Sequence, residues 1–329
     1  MPRKYALGRA SIVLPFLDMM EQHGKDPKKI TSQLGLGNQT FDDLLLGNPQ
    51  LHLPSYSLGH ILDSSARMTE SDDIGFISGS SDKKMMDIHP ELIALINNKQ
   101  SLLGCLVSVV QLQHLQGSHF QCELAYVNSE LRIYHTSALL PSHRGFQHSH
   151  LFTTARILKF MKQYNGAQWK PDYIALKPNI ADTALLAKNT RLGKVLCGLD
   201  KSYIPISYNL NDAQLSINNG SFASSTKALQ QIKIVINALW ELKGFNLDLL
   251  AHLFGLSERT IQRLFSDDGS SFRDYLNSVK IKKAKQLLLQ GDSVNSIAMQ
   301  LHYTEAANLT RAMKKQTGLT PIQYVERCK

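Results

Sequence analysis

Near the C-terminus, Arg259, Gln262 and Arg263 follow a Ser257 suited to cap a helix, and helical spacing sets them opposite Ile261, Leu264 and Phe265. An arginine guanidinium can donate two hydrogen bonds to guanine O6 and N7, and a glutamine amide can bridge adenine N6 and N7. Each good pair discriminates a base by ~1–3 kcal/mol. A second set, Ala307, Asn308 and Arg311, takes outward positions behind Thr304, the expected cap, with Leu309 and Met313 turned inward. Asn308 and Arg311 carry base-reading chemistry, whereas Ala307 offers only a methyl contact to thymine, so weaker discrimination is expected from this set. Lys314 and Lys315 come one turn later and suit phosphate oxygens of the DNA backbone better than base edges.

These side chains need a short helix, a tight turn and a second helix to aim them into a major groove. That pattern occurs twice, over residues 247–265 (LDLLAHLFGLSERTIQRLF) and 294–313 (VNSIAMQLHYTEAANLTRAM), about 47 residues apart. Residues 272–289 between them read as one amphipathic helix of ~27 Å at ~1.5 Å per residue. Such a connector suits two recognition helices about one DNA turn, ~34 Å, apart. Lys280, Lys282, Lys283 and Lys285 cluster on it. A charge run of this kind is more often a solvated helix face than a binding stripe, so it only supports the motif pair.

The rest of the chain sets the context. At 329 residues and 43% hydrophobic content, two domains with separate cores are expected. Net charge is +9; from Thr226 onward 15 Lys and Arg face 9 Asp and Glu, so two thirds of the excess lies in the smaller C-terminal part. A basic patch alone attracts any polyanion, but its coincidence with the motif pair favours nucleic acid over a membrane surface. The apolar run at residues 12–20 is broken by Pro15 and Asp18, and no stretch reaches the ~18 apolar residues of a membrane span. Neither a signal peptide nor a membrane association is read, and a cytoplasmic location is expected. Cys105, Cys122, Cys197 and Cys328 are scattered without ligand spacing, so buried thiols are expected rather than disulfides or zinc.

Residues 1–222 read as an α+β domain. Helical periodicity covers 10–23, 57–67, 151–164 and 182–193, and Ser101 caps an apolar helix beginning at 102. Phe120, Cys122, Leu124 and Tyr126 alternate with polar or small residues, and Asn128-Ser129 turns the chain back into Leu131, Ile133 and His135 as a hairpin. Short strands are expected at 173–176 and 203–208. The polar cluster 218–225 marks a boundary near residue 222, and residues 223–329 read as all-α, beginning with a helix over 226–243.

The C-terminal residues resemble the DNA-binding domain of the AraC/XylS family of bacterial transcription regulators. The matching stretches are LSERTIQRLFSDDGSSFRDYL, VKIKKAKQLLL and KKQTGLTPIQYV, and the resemblance spans about 230–327. It implies a two-motif domain that contacts bases from Arg259, Gln262, Arg263, Ala307, Asn308 and Arg311. The second motif departs from the family pattern: His302-Tyr303 stand where Gly-Phe is usual, and histidine lacks glycine's ease at positive φ. Through its length, SDDIGFISG and PDYIALK, the N-terminal part resembles the α+β effector or oligomerisation domain of the branch containing the ornithine-utilisation regulator. The partners implied are promoter DNA across two adjacent major grooves, a small-molecule effector, RNA polymerase and a second copy of the chain.

Other chemistry finds little support. Histidines are dense between His114 and His150, including His143 and His148, but lack acidic or cysteine partners in a metal pattern and read as surface or loop residues. Asp42-Asp43 and Asp72-Asp73 are sequence neighbours that point apart and read as turns and caps. No phosphate loop or nucleophile motif occurs, so neither a catalytic residue nor a cofactor is assigned. Two alternatives stand beside a ligand-responsive regulator. One is a DNA-binding protein whose N-terminal domain only oligomerises, and the other is an enzyme domain tethered to DNA.

Overall fold

Short strands open the chain: β1 (Leu7–Arg9) pairs antiparallel with β2 (His52–Pro54). The computed structural model describes residues 3–81, 101–128, 130–177, 194–206 and 228–328. Contacts group the chain into two units, one of residues 1–227 with 253–255 and the other of 228–252 with 256–329. The boundary expected near residue 222 and the helix expected over 182–193 lie outside the described residues.

In the first unit, period-2 alternation produces the expected hairpin. Strand β3 (Phe120–Val127) pairs with β4 (Glu130–Ser137), setting Cys122 opposite His135, Leu124 opposite Ile133 and Tyr126 opposite Leu131. Asn128 turns the chain at φ 51°, a left-handed conformation in which asparagine is enriched. The sheet runs β3-β4-β7-β5-β6, with β5 (Tyr173–Leu176), β6 (Lys194–Cys197) and β7 (Ser202–Ile206); only β5 and β6 are parallel. Its apolar face, including Leu124, Leu131, Ile133, Ile174 and Ile204, shares one core with Leu151, Leu158 and Met161 of helix Phe146–Asn165. Helix Leu102–Leu112 adds Leu103 and Leu106, and Ser101 caps it by accepting the Gly104 N–H at 3.1 Å.

Other expected helices occur at shifted bounds. Residues 10–23 form a 3-10 turn, Ala10–Val13, and then helix Leu14–Gln22; residues 57–67 lie within Ser55–Thr69. The SDDIGFISG segment contains helix Ile74–Ser80. Gly75 and Gly79 let it approach helix Phe146–Asn165 closely: a Cβ there would stand 2.5 Å from the His148 carbonyl oxygen and 2.6 Å from that of Phe152. Asp43 completes a capping box with Thr40, whose backbone and hydroxyl hydrogen bonds hold the carboxyl below its ordinary pKa.

Two expectations are corrected here. His135, His148 and His150 are buried, not surface residues. They fall on the inward faces of β4 and helix Phe146–Asn165, where strand and helix geometry overrides their polarity. Of the thiols, Cys105 and Cys122 are buried but Cys197 and Cys328 are exposed.

Every described element of the second unit is a helix. Ala228–Leu239 replaces the longer helix expected over 226–243 and stops before Gly244, which sits at φ 85°. Leu247–Phe254 and Glu258–Asp267 form the first motif, and Val294–Gln300 and Ala306–Thr317 the second. Phe272–Leu289 connects them, and Pro321–Cys328 closes the chain. Ile232, Ile236, Ile261, Phe265, Leu309 and Met313 are among its buried residues. Among the described residues of the chain, no helix is long and apolar enough to cross a membrane.

Candidate nucleic-acid interface

The first motif obeys local rules at each step. Asn246 accepts the Leu249 N–H at 2.8 Å and opens helix Leu247–Phe254. Gly255 then turns the chain at φ 61°, a conformation that costs glycine nothing. Ser257 accepts the Thr260 N–H at 3.2 Å and caps the recognition helix Glu258–Asp267. Ile261 and Phe265 are fully buried, and Leu264, expected beside them, is half-buried. Arg259, Gln262 and Arg263 are exposed, and among the described residues no hydrogen bond or ion pair holds their side chains. Three flexible, unspent donor groups thus share the solvent face of one short helix.

The Ser257 cap makes a measurable prediction. Ser257→Ala is expected to destabilise this unit by about 1 kcal/mol, read as a lower denaturation midpoint of Trp240 fluorescence in a Trp169→Phe background. Thr304→Ala, at the position expected to cap the second motif, should lower that midpoint clearly less. Equal drops would contradict the cap assignment that follows.

The second motif has the same parts in a different register. Ser293 accepts the Ser296 N–H at 3.2 Å and caps helix Val294–Gln300. His302 takes the glycine's place at φ 56°, which costs a residue with a side chain ~1–2 kcal/mol. Its ring donates to the Glu241 carbonyl oxygen at 3.1 Å, offsetting part of that strain. The expected cap, Thr304, is corrected: helix Ala306–Thr317 starts one residue later, with Glu305 at its N-cap and no side-chain cap bond. His302 lies 47 residues after Gly255, but Glu305 lies 48 after Ser257. Leu309 and Met313 likewise follow Ile261 and Phe265 by 48. The second turn is therefore one residue longer than the first.

This offset sorts the second set. Ala307 and Arg311 occupy the places of Arg259 and Arg263, and both are exposed. Gln262 corresponds to Thr310, whose hydroxyl donates to the Ala306 carbonyl of its own helix at 3.0 Å. Asn308, half-buried, corresponds to Thr260 rather than to Gln262. Its amide donates to Thr304 Oγ1 at 2.8 Å, and its carbonyl oxygen accepts from Arg311 at 2.5 Å.

The lysines divide similarly. Lys314 is exposed, and no hydrogen bond or ion pair among the described residues engages it. Lys315 pairs with Asp274 at 2.9 Å, both side chains largely solvated. The Ser271 hydroxyl, and then the Lys315 ammonium, hold the Asp274 carboxyl below its ordinary pKa. A pair this exposed contributes little stability, so phosphate can compete for Lys315. On the connector, Lys280 lies 5.0 Å from the Tyr303 ring centre and Lys285 5.4 Å from that of Tyr324. Burial lowers the Lys280 pKa and pushes that of Tyr303 up to about 12. Lys282 alone of the four is exposed, the others being half-buried. Sequence spacing had no means of finding the aromatic partners, which come from the turn of the second motif and from helix Pro321–Cys328.

Residues 250–327 match the family described as a helix-turn-helix domain. The C-terminal part of this chain is thus a helix-turn-helix domain of the AraC type. It is similar to the HTH-type transcriptional regulator NimR of Escherichia coli K12, 35% identical over 78 residues, which are 23% of this chain and 29% of NimR. The HTH-type transcriptional regulator RipA of Corynebacterium glutamicum is 32% identical over 80 residues, 24% of each chain. The probable transcription factor PqrA of Proteus vulgaris is 29% identical over 86 residues, 26% of this chain and 70% of PqrA. The chain thus spans less than a third of the length of NimR and about a quarter of that of RipA. Among solved structures, the transcriptional regulator CdpR of Pseudomonas aeruginosa aligns with 95% of this chain and 97% of its own, at 14% identity and a TM-score of 0.33.

Proposed function

We propose that this protein is a sequence-specific DNA-binding transcription regulator whose N-terminal unit binds a small-molecule effector. The observation that carries the reading is a pair of recognition helices, each presenting exposed arginine on its solvent face, within a domain shared with proteins named as transcription regulators. Arg259, Gln262, Arg263 and Arg311 meet base edges, Ala307 contacts a thymine methyl, and Lys314 and Lys315 meet phosphates. The connector of 18 residues separates the two helices by about one DNA turn, so one chain reads two successive major grooves. Contacts to RNA polymerase and self-association through the N-terminal unit belong to the same proposal. A regulatory rather than enzymatic N-terminal unit belongs to the same proposal.

Selection of random duplexes by the full chain tests it. Two enriched blocks with centres about 10 base pairs apart are expected. Enrichment of no sequence would sink the reading. For the effector, a metabolite that binds the native N-terminal unit raises its thermal midpoint in proportion to the logarithm of concentration, by mass action.

A further inference from the structure

We infer that Asn308 does not read a base but positions Arg311, with Thr304 as its anchor, so that the second block rests on one guanine-reading side chain. This rests on the DNA-reading function proposed above. Adenine recognition by asparagine uses its amide nitrogen as donor and its carbonyl oxygen as acceptor. In Asn308 both atoms already have partners, Thr304 Oγ1 at 2.8 Å and the Arg311 guanidinium at 2.5 Å. Arg311 spends one of its five N–H groups on this contact, and the remaining four leave the parallel pair that guanine O6 and N7 require. Holding a long, exposed side chain in one orientation before binding removes part of the rotamer entropy otherwise lost at the interface. Thr310, at the place of Gln262, is committed to its own helix backbone at 3.0 Å.

Nothing comparable occurs in the first motif. Arg259, Gln262 and Arg263 have no hydrogen-bonding or ionic partner among the described residues. Three adaptable side chains there contrast with one braced arginine in the second motif. The longer turn is the structural origin of the difference: it leaves Thr304 outside the helix, where it accepts the Asn308 amide instead of capping.

Base preferences of the full chain and its variants, measured over all substitutions of the selected site, test the inference. Arg311→Ala is expected to cut discrimination at one base pair of the second block by about ten- to hundredfold. Asn308→Ala should act on that same base pair by about three- to tenfold, and Thr304→Val by about threefold. The double variant Asn308→Ala/Arg311→Ala should be no worse than Arg311→Ala alone, the non-additivity of a shared contact. Asn308→Asp keeps the oxygen that accepts from Arg311. It should preserve the guanine preference even as its charge weakens binding to all duplexes. The first block, read by the other helix, serves within each measurement as the control for folding. Asn308→Ala acting on a different base pair, or losses that multiply in the double variant, would overturn the positioning role alone. A wild-type chain that selects no sequence would overturn the regulator proposal with it.

Discussion

Replacing Arg263 by alanine is expected to remove one base preference from the first block while leaving binding to random duplex largely intact. Arg263 is exposed, unpartnered among the described residues and at the outward end of the first two turns of helix Glu258–Asp267. Its substitution takes nothing from the core, where Ile261 and Phe265 are fully buried. The loss is therefore a recognition effect of ~1–3 kcal/mol, about ten- to hundredfold in discrimination at one base pair. Lys314→Ala supplies the opposite result. It should weaken specific and random DNA alike and reduce the slope of log affinity against log salt by about one. Binding titrations over a range of salt separate the two. Equal loss on both kinds of DNA in both variants would mean that Arg263 meets the backbone rather than a base.

How much of this interface was legible beforehand follows from which rules are local. Gly255, Ser257, Ile261 and Phe265 each satisfy a rule spanning four residues or fewer, so the first motif can be read directly from sequence. The second misleads because Thr304 sits at the repeat distance from Ser257 and has cap chemistry. The spacing of Leu309 and Met313 from Ile261 and Phe265 already carried the correction, since the apolar pair and not the hydroxyl decides which way the helix faces. The hydrogen bonds among Thr304, Asn308 and Arg311, and the pairing of Lys315 with Asp274, depend on where chains fold back, which no periodicity records.

The N-terminal unit divides in the same way. Its hairpin spans eight residues per strand, long enough for alternation to show. By contrast β1, β2 and β6 have only three or four residues each, and helix Ile74–Ser80 only seven. Elements that short carry little period and exist because tertiary packing holds them; β5, no longer than β6, showed in the sequence through its apolar and aromatic YIAL run rather than through alternation. At the histidines two local rules conflict. His135 shares the β4 face with Leu131 and Ile133, so alternation already placed it inward, and only its polarity argued for the surface.

That burial makes the N-terminal unit sensitive to acid. His135 is 1% exposed; desolvation, and then the neighbouring His150 ring 5.4 Å away, push its pKa down to about 3. The His119 ring is half-buried, but its Nδ1 is sealed from solvent, and desolvation lowers its pKa to about 4. Both are neutral in the native state, whereas the unfolded chain protonates them near the ordinary value of about 6.5. Their contribution is complete above that pH and is lost as pH falls from about 6.5 toward 4, because the unfolded state then binds more protons. Well below pH 6.5 each histidine costs about 1.4 kcal/mol per pH unit; between pH 6.5 and 5, where the unfolded chain starts half-protonated at each, the pair removes about 3 kcal/mol, a large fraction of a domain's stability. Denaturation followed by Trp169 in a Trp240→Phe background should show the midpoint falling steeply over this range. His135→Gln keeps a hydrogen-bonding group toward Thr154, 3.1 Å from His135 Nε2, but cannot titrate. It should flatten the profile by about one proton, and a variant profile parallel to the wild type would show that His135 does not stay neutral in the fold.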